Sequence, residues 1–283
     1  MKKVFKIILW SVLGLIIFIV GFGSIFIYKI KNGFPVSYET EIPVIEFPKD
    51  KKAILLFTKS TGFRHSESIE ASKVAIAALG DKNNWFVYET ASSAVFNPEQ
   101  LKKFQLVIFS NCTGRLLNDE QQSNLQHFVE TGGAFLGIHG AGDFSHHWKW
   151  YESELIGAAF SHHALKPNLQ TTEVFLHAGA DSGYLSTLPA NWSMEDEWYV
   201  FYQQPINAQV VLNIDGTTIN PDGNILFIKD KNFGMGKDHP VAWYRRVKNG
   251  KSFYTSMGHS AEVWQNPSFV SYIKTTIMTS VNK

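Results

Sequence analysis

Ten histidines stand among the 283 residues, and several occupy positions from which an imidazole can act. The most informative stretch is Gly137-Ile138-His139-Gly140-Ala141-Gly142-Asp143, where a continuous apolar run ends at a histidine inside a glycine-rich turn. This is the layout of a nucleophile elbow, in which glycines permit a sharp bend that exposes one residue above a sheet. His139 is therefore expected to be open to solvent. A neutral imidazole there can act as general acid or base near pH 7, or bind a metal. The plainer alternative is a histidine that only hydrogen-bonds the turn. His259 ends a later strand, in Ser256-Met257-Gly258-His259-Ser260-Ala261-Glu262. Glu262 is placed to fix its tautomer or raise its basicity, with a capping carboxylate as the alternative.

Other candidates cluster less tightly. Thr61-Gly62-Phe63-Arg64-His65 follows the first strand and precedes a helix. Helix N-termini favour anions and polar ligand groups, so Arg64 and His65 are candidate ligand contacts; a solvated loop is the alternative. His146-His147 and His162-His163 are adjacent pairs, of which at most one member each can point into a given site. Asp196-Glu197-Trp198-Tyr199 is an acidic-aromatic cluster, and His239-Pro240 with Trp243 introduces a hairpin. No His-Glu-x-x-His or other regular metal spacing exists, so spacing does not indicate a metal, and a divalent ion such as zinc stays open. Cys112 is the single cysteine, which excludes a disulfide framework and any multi-cysteine zinc site.

The elements that must position these residues alternate between strand and helix. Ala53–Thr58, Trp85–Glu89, Leu106–Ser110 and Ala134–Ile138 read as strands, three of them continuous apolar runs typical of buried parallel strands. Ser68–Leu79 reads as a helix. Asn97-Pro98-Glu99-Gln100 and Asn118-Asp119-Glu120-Gln121 each supply an N-cap with Gln at N3, and Gly132-Gly133 stops the second of these helices. Such alternation implies a parallel sheet with right-handed crossovers, whose ligands bind beyond the carboxyl ends of the strands. Chemistry is thus expected after Thr58, Ser110 and Ile138. In the second half, Asn249-Gly250 predicts a two-residue hairpin between Val241–Val247 and Lys251–Met257. Asn266-Pro267 predicts a terminal helix to about Thr279. Residues 160–240 are turn-rich and are expected to decorate the sheet's active edge.

Net charge is +1, and no Lys/Arg stripe with interleaved aromatics is present, so nucleic acid is not an expected partner. Residues 7–28 carry no charge, and as a helix they span roughly 33 Å, matching a bilayer core. The stretch is too long for a signal-peptide core and no Ala-x-Ala-like site follows, so it reads as an uncleaved signal anchor. Lys2, Lys3 and Lys6 precede it, against Lys29 and Lys31 after it. That bias favours a single-pass inner-membrane protein with its folded part facing the periplasm or exterior. The expected organisation is an anchor over 1–31, a linker with three prolines over 32–50, and one α/β domain over 51–283.

The chain resembles the ThuA-like family, named for trehalose utilisation. The resemblance rests on Gly62-Phe63-Arg64-His65, on Asn118–Gln122 through Gly132-Gly133 to Gly137-Ile138-His139, and on Trp148, Trp150 and Tyr151. Further matches are Phe160 with His163, Glu197, His239-Pro240, Ala242-Trp243, Tyr254 and Gly258-His259. It implies a flavodoxin-like, class I glutamine amidotransferase-like fold, with His139 standing where the amidotransferases keep a Gly-x-Cys-x-Gly nucleophile. Amidotransferase chemistry is thereby excluded. It also implies a link to sugar catabolism and a small-molecule carbohydrate partner. Arg115 departs from the acidic residue expected after Thr113-Gly114. The resulting expectation is an enzyme acting on a glycoside or keto-sugar, with His139 as base, Asp143 as its partner, His259 as acid, and Glu262 behind His259. Arg64, His65, His163, Glu197, His239 and Trp243 would hold the sugar. The alternatives are a sugar-binding module without catalysis, and a metal-dependent hydrolase using some of His65, His139, His163 and His259.

Overall fold

The computed structural model describes residues 2–32, 38–180, 185–225 and 229–282; the side chains of 30–32 and 144–146, hence of His146, lie outside what is described, as does Pro35. Helix α1 (Lys2–Asn32) is followed by β1 (Lys52–Phe57), α2 (Ser66–Asn83), β2 (Trp85–Thr90) and the short α3 (Pro98–Leu101). Then come β3 (Leu106–Ser110), α4 (Asp119–Glu130) and β4 (Ala134–Ile138). Strands β5 (Phe160–His163), β6 (Gln170–Leu176), β7 (Asn191–Asp196), β8 (Tyr199–Phe201) and β9 (Gln209–Ile214) lead to the hairpin β10 (His239–Val247) and β11 (Gly250–Thr255), and α5 (Pro267–Val281) closes the fold.

The nine-stranded sheet has the order β2-β1-β3-β4-β11-β10-β9-β6-β7. Its first five strands are parallel, in the 2-1-3-4-5 order of flavodoxin-like folds. Alternate residues explain the apolar runs. Ile54, Leu56 and Ile108 enter one core with α2 and α5, while Leu55, Phe57, Val107 and Phe109 enter a second core with α3 and α4. Both faces are buried, so no polar alternation is needed. The caps act as the sequence predicts: Asn97 accepts from Gln100 N, and Asn118 and Gln121 form a reciprocal capping box worth about 1 kcal/mol.

The region 160–240 departs from expectation, because β6, β7 and β9 extend the main sheet as antiparallel strands and only β5–β8 forms a separate ribbon. A flat sheet would leave β7 about 19 Å from β11 at four strand spacings. Yet Asp196 at the end of β7 accepts a hydrogen bond from Gly258 N, just past β11, at 2.7 Å. The antiparallel half therefore curls back over the carboxyl edge, helped by the register shifts around Pro240 and Ala242 in β10. The hairpin turn also sits one residue earlier than predicted, at Lys248-Asn249, with Lys248 left-handed (φ 51°). Gly250 opens β11 instead, because a Cβ there would run into the carbonyls of Val129 and Gly133.

Candidate metal centre

At the end of β4 the left-handed conformation falls on His139 itself (φ 47°). The neighbouring glycines serve close approach. A Cβ on Gly140 would lie 2.9 Å from Thr113 Cγ2, and one on Gly142 would collide with the Tyr254 hydroxyl. Gly140 N donates to Asn111 Oδ1 at 3.3 Å, and Tyr254 donates to the His139 carbonyl at 3.0 Å. These bonds hold the bend. The ring is then packed between neighbours: Tyr199 at 4.2 Å between centroids, and His65 and His259 at about 5 Å. His139 is 0% exposed, so the expectation of a solvent-open ring is corrected. The bend is right; the covering comes from the first loop and the curled sheet.

His139 Nδ1 lies 2.7 Å from the Ser256 carbonyl. A carbonyl can only accept, so a proton sits on Nδ1, and in the neutral ring the Nε2 lone pair faces inward. Glu197 Oε2 is 3.4 Å from that Nε2, and His259 Nδ1 is 3.2 Å from both. His65, at the N-cap of α2, completes the group, and its ligand atom and the other three all lie within 4.8 Å of one another. Its buried Nδ1 has no hydrogen-bond partner among the described residues. A tetrahedron with bonds of about 2.0–2.1 Å has edges of about 3.3 Å, which the three measured separations match. Three imidazoles and one carboxylate are a donor set suited to a divalent transition metal.

Supports for these side chains come from outside the set. Glu197 sits in the two-residue step between β7 and β8, fixed by the indole of Trp198 donating to the Gln170 carbonyl at 2.7 Å. Asp196 is fully buried and accepts from the backbone N–H groups of Glu197, Gly258 and His259, tying both ligand-bearing segments to one carboxylate. Asn111, after β3, donates to Ser68 Oγ and the Gly258 carbonyl. Burial alone would raise Glu197, but the histidines around it hold it well below the ordinary carboxylate range. Burial and then the neighbouring histidines push His65 far down, keeping it neutral. Burial opposes protonation of His259, but Glu197 wins and raises it. The side chains of His139 and Glu197 are 0% and 4% exposed, whereas His259 is 19% and His163 is 29%. The open side of the cluster is theirs.

The predicted residues separate accordingly. His65, His139, Glu197 and His259 converge, and His163 joins through Nδ1, 3.1 Å from Glu197 Oε1. Its neighbour His162 turns the other way, to the Pro221 carbonyl. Arg64 stays at the rim, half-exposed and 3.9 Å from Glu70. Asp143 does not partner His139: it lies 3.4 Å from the Tyr199 hydroxyl, and burial together with Glu197 pushes it up to about 8. Glu262 is exposed and makes no described contact with His259; Asp196 and Glu197 take the place assigned to it. His239 and Trp243 are core residues. His239 Nε2 is 2.8 Å from the Tyr199 carbonyl, and burial pushes it down to about 4. Trp243 donates to the Ile156 carbonyl and packs on Phe201 and Tyr254. Asp196, Asn111 and the Ser256 carbonyl carried no motif of their own; only the acidic-aromatic run pointed toward Asp196.

Among solved structures, a ThuA-like protein from Bacteroides uniformis aligns with a TM-score of 0.67 at 21% identity, covering 89% of this chain and 96% of that one. A ThuA-like protein from Parabacteroides merdae aligns at 0.61 and 15% identity, covering 83% and 91%. A beta-galactosidase from Bacillus circulans sp. alkalophilus aligns at 0.50 and 13% identity, covering 82% of this chain and 31% of that one. At these identities the likeness shows the fold. No relative is found among the curated proteins. Residues 53–278, which hold every histidine of the cluster, match the trehalose utilisation family, and the chain is therefore a member of the ThuA family.

Proposed function

We propose that this chain is a metal-dependent enzyme of carbohydrate catabolism, acting on a glycoside or keto-sugar, with His65, His139, Glu197 and His259 as the metal ligands. The observation that carries it is the inward lone pair of His139 Nε2, held 3.4 Å from a buried carboxylate oxygen and 3.2 Å from His259 Nδ1. Two acceptors pressed together in a dry site repel unless a positive charge lies between them, either a proton carried by His259 Nδ1 or a metal ion, and four convergent donor atoms favour the metal. Family membership supports a sugar as substrate.

A bound divalent ion would act as a Lewis acid toward sugar hydroxyl or carbonyl oxygens. The chain's own residues supply the rest. His139 is sealed from solvent, so proton transfer falls to a more open imidazole. His163, anchored by Glu197, is placed to accept a proton from the sugar and return it to a leaving oxygen. Arg64 at the rim would orient the ring. The helix Lys2–Lys29 is long and apolar enough to cross a membrane, and we read it as a single-pass anchor with the folded part outside the inner membrane.

The test is elemental analysis of protein purified without a histidine tag, followed by incubation of the metal-loaded protein with glycosides and their 3-keto forms. About one equivalent of divalent metal is expected, lost in His139→Ala and Glu197→Ala. Turnover of at least one panel member is expected, reduced 100-fold or more in His163→Ala with the metal retained. Less than a tenth of an equivalent after loading with zinc, manganese or iron would remove the metal centre. A metal-loaded protein that binds sugars without product would make it a binding module.

A further inference from the structure

The loop that carries His65 is joined to the loop that carries Arg115. Thr61 N and Gly62 N donate to the Thr113 carbonyl at 2.8 and 3.2 Å, and Thr61 Oγ1 donates to the Arg115 carbonyl at 3.0 Å. Beside Arg115 lies a groove of about 620 Å³, lined by Tyr38, Arg115, Asp119, Glu120 and Gln122 among others, which shares no residue with the histidine cluster. From this groove we propose a second binding site, for a neutral saccharide of about two rings. It rests on the carbohydrate reading above and is separate from the metal centre.

The volume falls within the range of small-molecule sites, roughly 300–1,000 Å³. The lining decides the chemistry. Among the described residues, the Arg115 guanidinium pairs with neither Asp119 nor Glu120, although all three face one groove. An anion would meet two carboxylates there, and a cation would meet the guanidinium. A polyol satisfies both, because each hydroxyl can donate to a carboxylate while accepting from a guanidinium. Gln122 donates its amide to the Leu117 carbonyl at 3.1 Å, which leaves its own carbonyl oxygen for a ligand hydroxyl. Tyr38 supplies a ring with an apolar face and a polar tip, suited to the C–H face of a pyranose. The Lys59 ammonium lies over that ring, 5.6 Å from its centroid, and Lys59 is in turn bonded to Glu39 at 2.5 Å and Ser93 at 3.0 Å.

Binding is measured by calorimetry on the full chain in detergent micelles, with trehalose, maltose, glucose and inorganic phosphate as probes. Product formation is followed by NMR on the same samples. A disaccharide is expected to bind at least tenfold more tightly than glucose. Arg115→Ala, at an exposed position, and Tyr38→Ala should each weaken it tenfold or more, while Lys274→Ala, exposed on α5, leaves it unchanged. Loss of binding in His259→Ala with no effect of the groove variants would place the sugar at the metal centre and overturn the proposal. Binding of phosphate alone, or of no saccharide, would overturn it as well. None of these outcomes depends on turnover, so failure of the enzymatic reading is seen separately.

Discussion

His139 holds a left-handed backbone at a cost of about 1–2 kcal/mol for a residue with a Cβ. The cost is offset by bonds that a less constrained residue could not make at once: its carbonyl to Tyr254, its Nδ1 to the Ser256 carbonyl, and its neighbour's amide to Asn111. Asp196 plays the matching role on the other side of the cluster. Its two oxygens collect three backbone donors from two segments distant in sequence. Asp196→Asn keeps the shape but turns an amide donor toward one of those N–H groups. Destabilisation by about 2–3 kcal/mol is expected from the buried, unsatisfied pair. Because the change loosens the segments bearing Glu197 and His259, metal affinity should fall by about 10- to 100-fold. Chemical denaturation and competition against a chelator measure the two effects. An unchanged affinity would mean that Asp196 supports the fold and not the ligands.

At the scale of elements, residues 38–47 of the 32–50 linker are bound to the folded domain. Glu39 bonds to Lys59 and Ser93, Gln121 donates to the Glu39 carbonyl, Gln100 donates to the Pro43 carbonyl, and Phe47 packs on Phe86 and Phe104. This strap lies along the outside of the parallel half. Burial would raise Glu39, but its Lys59 and Ser93 donors hold it at about 2, against 4.5 when unfolded. A depressed carboxylate stabilises above its unfolded value, and that stabilisation disappears as pH falls from about 4.5 to about 2. Glu39→Gln should therefore lower Tm by a few degrees at pH 7, a modest effect because the side chain is half-exposed. The gap to wild type should close between pH 4.5 and 2 in a series of thermal melts; a gap independent of pH would assign the strap's hold to its apolar contacts.

Local sequence carries only part of this arrangement. Strands β1, β3 and β4 and the two Asn caps were legible because buried apolar runs and capping residues act within a few positions of themselves. The curl that brings β7 over β4 and β11 was not, since it follows from pairing between segments far apart in the chain. His139 was legible as a bend, but its covering by His65, Tyr199 and His259 was not. For the same reason the core roles of His239 and Trp243 were hidden: their partners lie in Tyr199 and Ile156.

For the whole molecule, the outstanding imbalance is α1. Over Lys2–Lys29 its apolar side chains are exposed, with none of the most apolar window buried inside the protein. Exposed Leu, Ile, Val and Phe along 28 residues would cost tens of kcal/mol in water, at about 25 cal/mol for each Å² left wet. A bilayer removes that cost, and at 1.5 Å per residue the helix exceeds a hydrocarbon core of about 30 Å. A signal-peptide core is shorter, about 7–15 residues, and Lys2, Lys3 and Lys6 precede the uncharged stretch 7–28 against Lys29 and Lys31 after it. The full chain should therefore stay in the membrane fraction after alkaline carbonate extraction, at its full mass. Protease added to spheroplasts should digest the folded part while a cytoplasmic control survives. A chain beginning at residue 38 keeps the strap, so it should be water-soluble and melt within a few degrees of the parent. Recovery of a soluble periplasmic form lacking the first 30 or so residues would replace the anchor with a cleaved leader. Protection from protease in spheroplasts would reverse the orientation.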